Sequence, residues 1–266
     1  MCIRDSRSTM RQWTPCWKIV NITKPKQTGT ITWLISGFII ILTSLVITSL
    51  LLIIIYRWVS PCPTWLMAQR FFFHETTRFE PINHRWMPID SISLDIIHAV
   101  IASEDNLFLA HKGFDYESIR RAREEIKQGK RFRGASTISM QTAKNVFLWP
   151  KRSWARKGLE AVFTWAIERA WGKRRIMEVY LNVIELGSGV YGVEAASQHF
   201  FMKQAMYINR EQAALMATVL PNPLSRDLSS PSSFMYRSQQ RVLRSMRNIG
   251  PLPVEIFHTR QVNPTK

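Results

Sequence analysis

The segment Ser93–Asp105, SLDIIHAVIASED, decides the fold class because it carries every signal of a helix. Ser93 is a residue type that caps helix N-termini, and apolar residues follow at the spacing of one helical face. That face is formed by Leu94, Ile97, Val100 and Ile101. The segment ends in two acidic residues, Glu104 and Asp105. It therefore predicts an amphipathic helix with an acidic C-terminal end.

Capping residues and helical periodicity recur along the chain as far as Gly250. The predicted helices run from Asp115 through Ile126, Ser136 toward Phe147, Ser153 through Trp171, Lys173 to Glu185, Val190 to Phe200, Asn209 to the residue before Pro221, and Ser232 to Asn248. No alternating strand pattern and no internal repeat is evident. Residues 91–250 are therefore predicted to form one all-α domain, followed by a C-terminal tail over residues 251–266.

Upstream of this domain, the chain is uncharged and apolar from Ile31 to Tyr56, ITWLISGFIIILTSLVITSLLLIIIY. A helix needs about 20 apolar residues to cross a bilayer, so the run predicts a transmembrane helix over residues 31–56. Residues 57–90 then form a membrane-proximal connector. Its aromatic residues fit a segment lying on the membrane and a first core helix equally well.

The flanks of the apolar run predict its orientation. Residues 1–30 contain a single acidic residue, Asp5, and these basic residues: Arg4, Arg7, Arg11, Lys18, Lys24 and Lys26. After the run, Arg57 is followed by no basic residue until Arg70. The positive-inside rule therefore makes residues 1–30 a cytoplasmic tail and places residues 58–266 on the outer side.

Composition narrows the classes of protein and partner. The chain has 266 residues, of which 46% are hydrophobic and 21% charged, which excludes a disordered or collagen-like chain. Three cysteines exclude a disulfide framework. A net charge of +17 indicates an anionic partner. Because the main domain is predicted outside the cytoplasm, anionic lipid or a phosphorylated ligand is favoured over nucleic acid.

The acidic residue Glu104 is the first candidate for chemistry. The chain has no GxGxxG, Walker A, HExxH or CxxC motif, so we expect no organic cofactor, and its histidines are too scattered to indicate a metal site. Glu104 ends an otherwise apolar helix, where desolvation would raise the pKa of its carboxyl group and suit it to general acid or base catalysis. The alternative is an ordinary solvated acid at a helix end.

A second candidate is the predicted helix that begins near Ser136. Ser136 and Thr137 stand at its start, and Gln141 and Lys144 share one of its faces. A helix N-terminus with hydroxyl groups and a nearby lysine can bind an anion. An ordinary capped helix is the alternative.

A third candidate is a charged stripe on the next helix. Arg152, Arg156 and Glu160 are four residues apart, and Lys157 lies beside them. They form either a cationic wall for a phosphate or surface ion pairs worth about 0.3–0.5 kcal/mol each. The basic run Arg120–Gly134 is either a solvated surface or a contact for anionic lipid.

Taken together and in order, these segments resemble the glycosyltransferase domain of the peptidoglycan polymerases. This domain occurs in class A penicillin-binding proteins and in monofunctional transglycosylases. The matching blocks are Glu104–Phe108 with His111 and Gly113, Gly134–Asn145, Arg156–Glu160, Lys173–Asn182 and Gly187–Ala196. The chain resembles the monofunctional form, because no penicillin-binding domain follows. Met140 and Leu159 depart from the residues that relatives often carry at those places.

The resemblance implies a lysozyme-like helical fold and a specific reaction. The substrates would be lipid II and the growing lipid-linked glycan chain. Glu104 would be the general base for β-1,4 bond formation with inversion, and undecaprenyl pyrophosphate would leave. Glu160 would be the second essential carboxylate, which either orients the neighbouring cations or helps to hold a metal, and we favour the first role.

The resemblance also implies a set of substrate contacts and partners. The implied substrate-binding residues are Asp105, Phe108, His111, Ser136, Thr137, Gln141, Lys144, Asn145, Arg152, Arg156 and Lys157. A divalent cation, Mg²⁺ or Mn²⁺, would assist the pyrophosphate. The expected partners are the membrane and other cell-wall synthesis proteins, with no nucleic acid. The expected location is the cell inner membrane, with the catalytic domain in the periplasm.

Two other functions fit part of the pattern. A membrane-anchored, lysozyme-like enzyme that cleaves glycan would share the fold and a catalytic glutamate, but would not need the cations at Lys144 and Arg152. A scaffold that binds lipid II without turnover would not need both Glu104 and Glu160. Both alternatives are therefore weaker than the polymerase.

Overall fold

The computed structural model describes residues 28–73, 81–129, 136–151 and 153–258, except for the side chains of residues 28–31 and 71–73. The chain divides into two units, residues 1–49 and residues 50–266. Helix α1, Thr28–Ile55, begins in the first unit and ends in the second. Its segment Thr32–Ile55 has a mean hydropathy of 3.0 and is long and apolar enough to cross a membrane. This helix is the candidate membrane anchor.

Helices dominate the second unit, which confirms the predicted all-α class. They are α2 (Trp65–Phe73), α3 (Leu94–Glu104), α4 (Tyr116–Lys127), α5 (Ile138–Phe147), α6 (Trp154–Ala170), α7 (Lys173–Val183), α8 (Val193–Phe201), α9 (Arg210–Ala217), α10 (Ser233–Ile249) and α11 (Val254–Phe257).

Local capping explains where most of these helices begin. The side chains of the predicted caps accept hydrogen bonds from first-turn N–H groups at Ser93, Asp115, Ser153, Asn209 and Ser232. The prediction for α5 was wrong by one residue: Thr137, not Ser136, accepts the capping bond, from the N–H of Met140.

Two central helices organise the core. The run Ile96–Ala102 of α3 is buried without interruption, so α3 is covered on all sides rather than on one apolar face. Helix α7 is similarly buried over Val179–Val183. Helix α3 packs against α9 and α10, whereas α5 packs against α6 and α7. This packing fixes both the C-terminal end of α3 and the first turns of α5.

A small sheet was missed by the sequence prediction. Strand β1 (Asn83–His84) runs parallel to β3 (Val190–Tyr191), and β2 (Glu185–Gly187) runs antiparallel to β3, in the order β1-β3-β2. The helix predicted from Val190 therefore begins only at Val193. Strands of two or three residues are too short to produce a readable alternation.

The core extends into both segments that flank the predicted domain. In the connector, Leu66 and Met67 of α2 are buried with Tyr191, which favours the interpretation of α2 as a core helix. Beyond residue 250, where a tail was predicted, Phe257 of α11 has no exposed surface and belongs to the main core. The predictions for residues 1–27, 74–80 and 259–266 lie outside the described residues.

Candidate active site

Glu104 lies at the C-terminal end of α3, directly opposite α5. The side-chain Nε2 of Gln141 donates a hydrogen bond of 2.7 Å to Glu104 Oε2. Burial raises the pKa of Glu104 above its ordinary value of 4.5, while the Gln141 hydrogen bond and the charges of Lys144 and Arg226 lower it and Asp105 raises it. A carboxyl group in such surroundings is a stronger base than a solvated one once it is ionised.

Two cavities adjoin at the Glu104–Gln141 pair. The first, about 200 Å³, is lined by Glu104 and by residues of α4 and the start of α5, including Asp115 and Ser136. The second, about 250 Å³, is lined by Gln141, Lys144, Asn145, Tyr180 and the segment Leu220–Leu224. We call the two cavities together the cleft, since the hydrogen bond between Glu104 of the first and Gln141 of the second connects them.

Lys144 supplies a cation to the second cavity. Burial lowers the pKa of its ammonium group, while the carboxylates of Glu160 and Glu104 raise it and the charges of Arg156 and Lys157 lower it. Within the described part of the chain, its Nζ atom makes no hydrogen bond or ion pair. A buried and unpaired ammonium group is stabilised by an anionic ligand.

Glu160 and two cations form a compact cluster on α6. Arg156 Nη1 lies 2.8 Å from Glu160 Oε2, and Lys157 Nζ lies 2.5 Å from Glu160 Oε1. Arg156 and Glu160 are buried, with 8% and 3% of their surfaces exposed, so their ion pair is not a surface pair, whereas the side chain of Lys157 is 42% exposed. The cluster supports the orienting role for Glu160, because both of its carboxylate oxygens are engaged by cations.

Lys157 connects this cluster to the cleft. Its Nζ atom is 3.4 Å from the hydroxyl oxygen of Ser136, which lines the first cavity. Thr137, the cap of α5, instead donates its hydroxyl proton to the carbonyl of Gly113 at 2.6 Å. Of the two hydroxyl groups expected to contact substrate, only that of Ser136 has no structural partner other than Lys157 in the described residues.

Asp105 and His111 contact each other, and Asp105 also lines the first cavity. His111 Nε2 lies 2.9 Å from both carboxylate oxygens of Asp105, and the N–H of Ile138 donates to Asp105 Oδ2 at 3.0 Å. Asp105 thereby ties the end of α3 to the first residue of α5. The polar atoms of Asp105 and His111 are used within the protein, and their implied substrate contacts stay a prediction.

The remaining predicted residues divide by burial. Phe108 has no exposed surface, and the Nζ atom of Lys173 lies 4.6 Å from its ring centroid, so the side chain occupies a core position. Asn145 is largely buried but lines the second cavity. Arg152 lies outside the described residues, as does the basic segment 130–135.

Sequence reasoning missed one charge that acts on Glu104 and one wall of the cleft. Arg226 lowers the pKa of Glu104 and donates to the carbonyl oxygen of Thr218, but no motif singled it out. The segment Leu220–Leu224 forms one wall of the second cavity, whereas its prolines had been interpreted only as a helix stop. The clustered prolines Pro221 and Pro223 were the available signal for a rigid wall.

The acidic residues do not fit a resident metal site. In the ranges that the structure describes, no group of three or more His, Cys, Asp or Glu side chains is placed to hold an ion. The carboxylates of Asp105 and Glu160 are occupied by His111 and by the α6 cations. Within the described residues, the cleft offers basic side chains such as Lys144 for charge stabilisation.

Comparison with known proteins identifies the family. The sequence model of the Transglycosylase family matches residues 72–247. The chain is 47% identical to the biosynthetic peptidoglycan transglycosylase of Bdellovibrio bacteriovorus over 79% of this chain and 83% of that protein. It is 45% identical to the protein of that name from Bacteroides thetaiotaomicron, over 77% and 84%. The match to that from Shewanella oneidensis is 40% identical over 86% and 97%. The chain belongs to the transglycosylase family.

Proposed function

We propose that this peptidoglycan glycosyltransferase polymerises lipid II into glycan strands, with Glu104 as the general base. The observation that carries the proposal is the position of Glu104, whose partly buried carboxylate lines the first cavity and accepts a hydrogen bond from Gln141, which lines the second cavity together with Lys144, unpaired in the described residues. An inverting transfer needs a base on one side of the reacting carbon and cations on the other. The cleft supplies both.

The bond-forming step balances as a single displacement. Glu104 accepts the proton of the acceptor 4-hydroxyl group on GlcNAc, and the oxygen of that group attacks C1 of the donor MurNAc. The C1–O bond to pyrophosphate breaks, and its electron pair leaves with undecaprenyl pyrophosphate. Attack from the face opposite the α-linked leaving group produces the β-1,4 bond.

The cations of α5 and α6 stabilise the leaving group. Lys144 faces the second cavity without a partner in the described residues, and Lys157 reaches Ser136 at the edge of the first. Glu160 holds Arg156 and Lys157 in fixed directions. Arg152 is proposed to add a further positive charge. A pyrophosphate needs such charges rather than a proton donor, because it leaves as an anion. The step as derived uses no metal, and a Mg²⁺ or Mn²⁺ ion that assists it would be bound mainly by the pyrophosphate itself.

Location follows from the substrate. We propose that α1 anchors the chain in the cell inner membrane with the N-terminus in the cytoplasm and the catalytic domain in the periplasm. Tethering raises the effective concentration of an enzyme whose substrate is a membrane lipid. The high positive charge of the chain favours an anionic leaflet.

The first test is polymerisation of labelled lipid II by the detergent-solubilised full chain. The wild type is expected to make long chains that lysozyme digests, and Glu104→Gln is expected to lose about 10²–10⁴-fold in kcat. Glu255→Gln, at an exposed position on α11, is the matched control and should keep wild-type activity.

The same preparations separate the other functions. A glycan-cleaving enzyme would release soluble muropeptides from finished cell wall and leave lipid II unpolymerised. A scaffold would bind lipid II without turnover. Either result with the wild type would contradict the proposal.

A further inference from the structure

A chain of hydrogen bonds leads from the core to Glu104. Tyr180 of α7 has no exposed surface, and its hydroxyl group donates to Gln141 Oε1 at 3.3 Å. Gln141 in turn donates from Nε2 to Glu104 Oε2 at 2.7 Å. Each group in this chain therefore donates a hydrogen bond to the next, from the buried phenol through the glutamine amide to the proposed base.

The direction matters because the two ends of an amide are chemically opposite. With its NH₂ group toward Glu104, Gln141 stabilises the ionised carboxylate. Turned over, it would present its oxygen, which pairs only with the protonated acid. In the described residues, Gln141 Oε1 is the only acceptor for the Tyr180 hydroxyl group, so turning the amide over would leave a buried donor without a partner.

We propose that Tyr180 is a positioning residue that holds the NH₂ group of Gln141 against Glu104 and thereby keeps the base ionised. This inference rests on the proposed role of Glu104. Burial raises the pKa of Tyr180 well above 10, so its hydroxyl group stays a donor across the working pH range. Tyr180 acts through Gln141 and does not contact substrate in this account.

Other charged groups near Glu104 also affect its ionisation. Lys144 of α5 and Arg226 favour the ionised carboxylate, and Asp105 opposes it. Asp115 and Arg121 face the first cavity from the α4 side. None of these groups depends on the Tyr180 hydroxyl group for a hydrogen bond in the described residues. Removing that hydroxyl group should therefore change the ionisation of Glu104 only through Gln141.

The test is the pH profile of kcat for lipid II polymerisation by the full chain. In Tyr180→Phe the Gln141 amide is free to turn over, which stabilises the protonated form of Glu104. The acidic limb of the profile is therefore expected to move up by about 0.5–1 pH unit. Activity should fall most at low pH and recover as pH rises. Tyr191→Phe removes another buried tyrosine hydroxyl group, which meets Glu185, and should leave the limb in place.

A double variant separates positioning from packing. If Tyr180 acts through Gln141, Tyr180→Phe should move the limb no further in a Gln141→Leu background. A uniform loss of kcat at all pH values, or a further shift in that background, would overturn the proposal. Should Tyr180→Phe fail to fold, Gln141→Leu alone must show the upward shift, and an unmoved limb overturns it.

Failure of the base assignment would be recognised separately. A wild type that polymerises lipid II beside a fully active Glu104→Gln would remove Glu104 as base, and the Tyr180 proposal with it. An inactive Glu104→Gln together with an unmoved limb in Tyr180→Phe would remove only the role of Tyr180.

Discussion

Glu104 and Lys144 show how one environment shifts two opposite charges. Burial is the largest cause for both, and it raises the pKa of the acid and lowers that of the ammonium group. Each charge also partly stabilises the other, although they form no ion pair in the described part of the chain. An acid and a cation kept near but apart leave room for a substrate with a hydroxyl group at one end and a phosphate at the other.

Removing the Lys144 charge should reduce the stabilisation of the transition state more than it reduces the free energy of unfolding. Lys144→Met is expected to lower kcat/KM for lipid II by about 10²–10³-fold, because the leaving pyrophosphate loses a preorganised cation. Lys203→Met, at an exposed position, is the control and should match the wild type. A Lys144→Met enzyme within twofold of the wild type would contradict the assigned role of this side chain.

Helical periodicity in the sequence was sufficient to find some of the candidate site residues but not others. Glu104 stood out because it ends an apolar helix, and Lys144 because it shares a face with Gln141. Whether Phe108 or His111 faces a cavity or the core depends on helices that are distant in sequence, so periodicity could not decide it. Arg226 lies in a loop, acts on Glu104 through its charge, and had no local signal.

At the scale of elements, the helices were predictable and the small sheet was not. Five predicted caps are hydrogen-bonded as expected, since capping depends on residues within one turn. Strand β3 instead pairs with β2 in a local hairpin and with β1, which comes from a distant part of the chain. Gly192 then turns the backbone from β3 into α8 with a φ of 81°.

Gly192 is required at this turn for two reasons. Its positive φ disfavours any other residue, and an added Cβ would lie 2.8 Å from the carbonyl oxygen of Asn182. Gly192→Ala is expected to lower stability by about 2 kcal/mol or more, which is about 4–8 °C in the thermal midpoint.

Gly158 is the matched control for that substitution. It lies within α6 and an added Cβ would meet nothing within 4 Å, so Gly158→Ala should leave stability unchanged or raise it by about 0.5–1 kcal/mol. Equal midpoints for both variants in a thermal melt would show that the turn does not depend on glycine.

At the scale of the whole molecule, the end of α1 is part of the second unit. Ile53 is buried in the main core, and Trp171 Nε1 donates to its carbonyl oxygen at 2.8 Å. Arg175 Nη2 donates at 2.9 Å to the carbonyl of Tyr56, just beyond the helix. These bonds satisfy carbonyl groups that a helix C-terminus leaves without partners.

The orientation of the anchor can be tested with Cys62, which follows α1 and is exposed. In a Cys2→Ser, Cys16→Ser chain, a membrane-impermeant maleimide should label Cys62 in intact cells whose outer membrane has been permeabilised. Burial raises the pKa of this thiol, so the labelling is run at pH 8. A chain that keeps only Cys16 is the control and should be labelled only after lysis. The reverse pattern would contradict the predicted orientation.

The most direct test of Glu104 as the general base is the pH dependence of kcat in the wild type and in Glu104→Gln. Burial raises the pKa of Glu104 above 4.5, and the base must be ionised to act, so wild-type kcat should rise with pH along an acidic limb above that value. The residual rate of Glu104→Gln should lack this limb. The same limb in both enzymes would show that another group is the base and would contradict the assignment of Glu104.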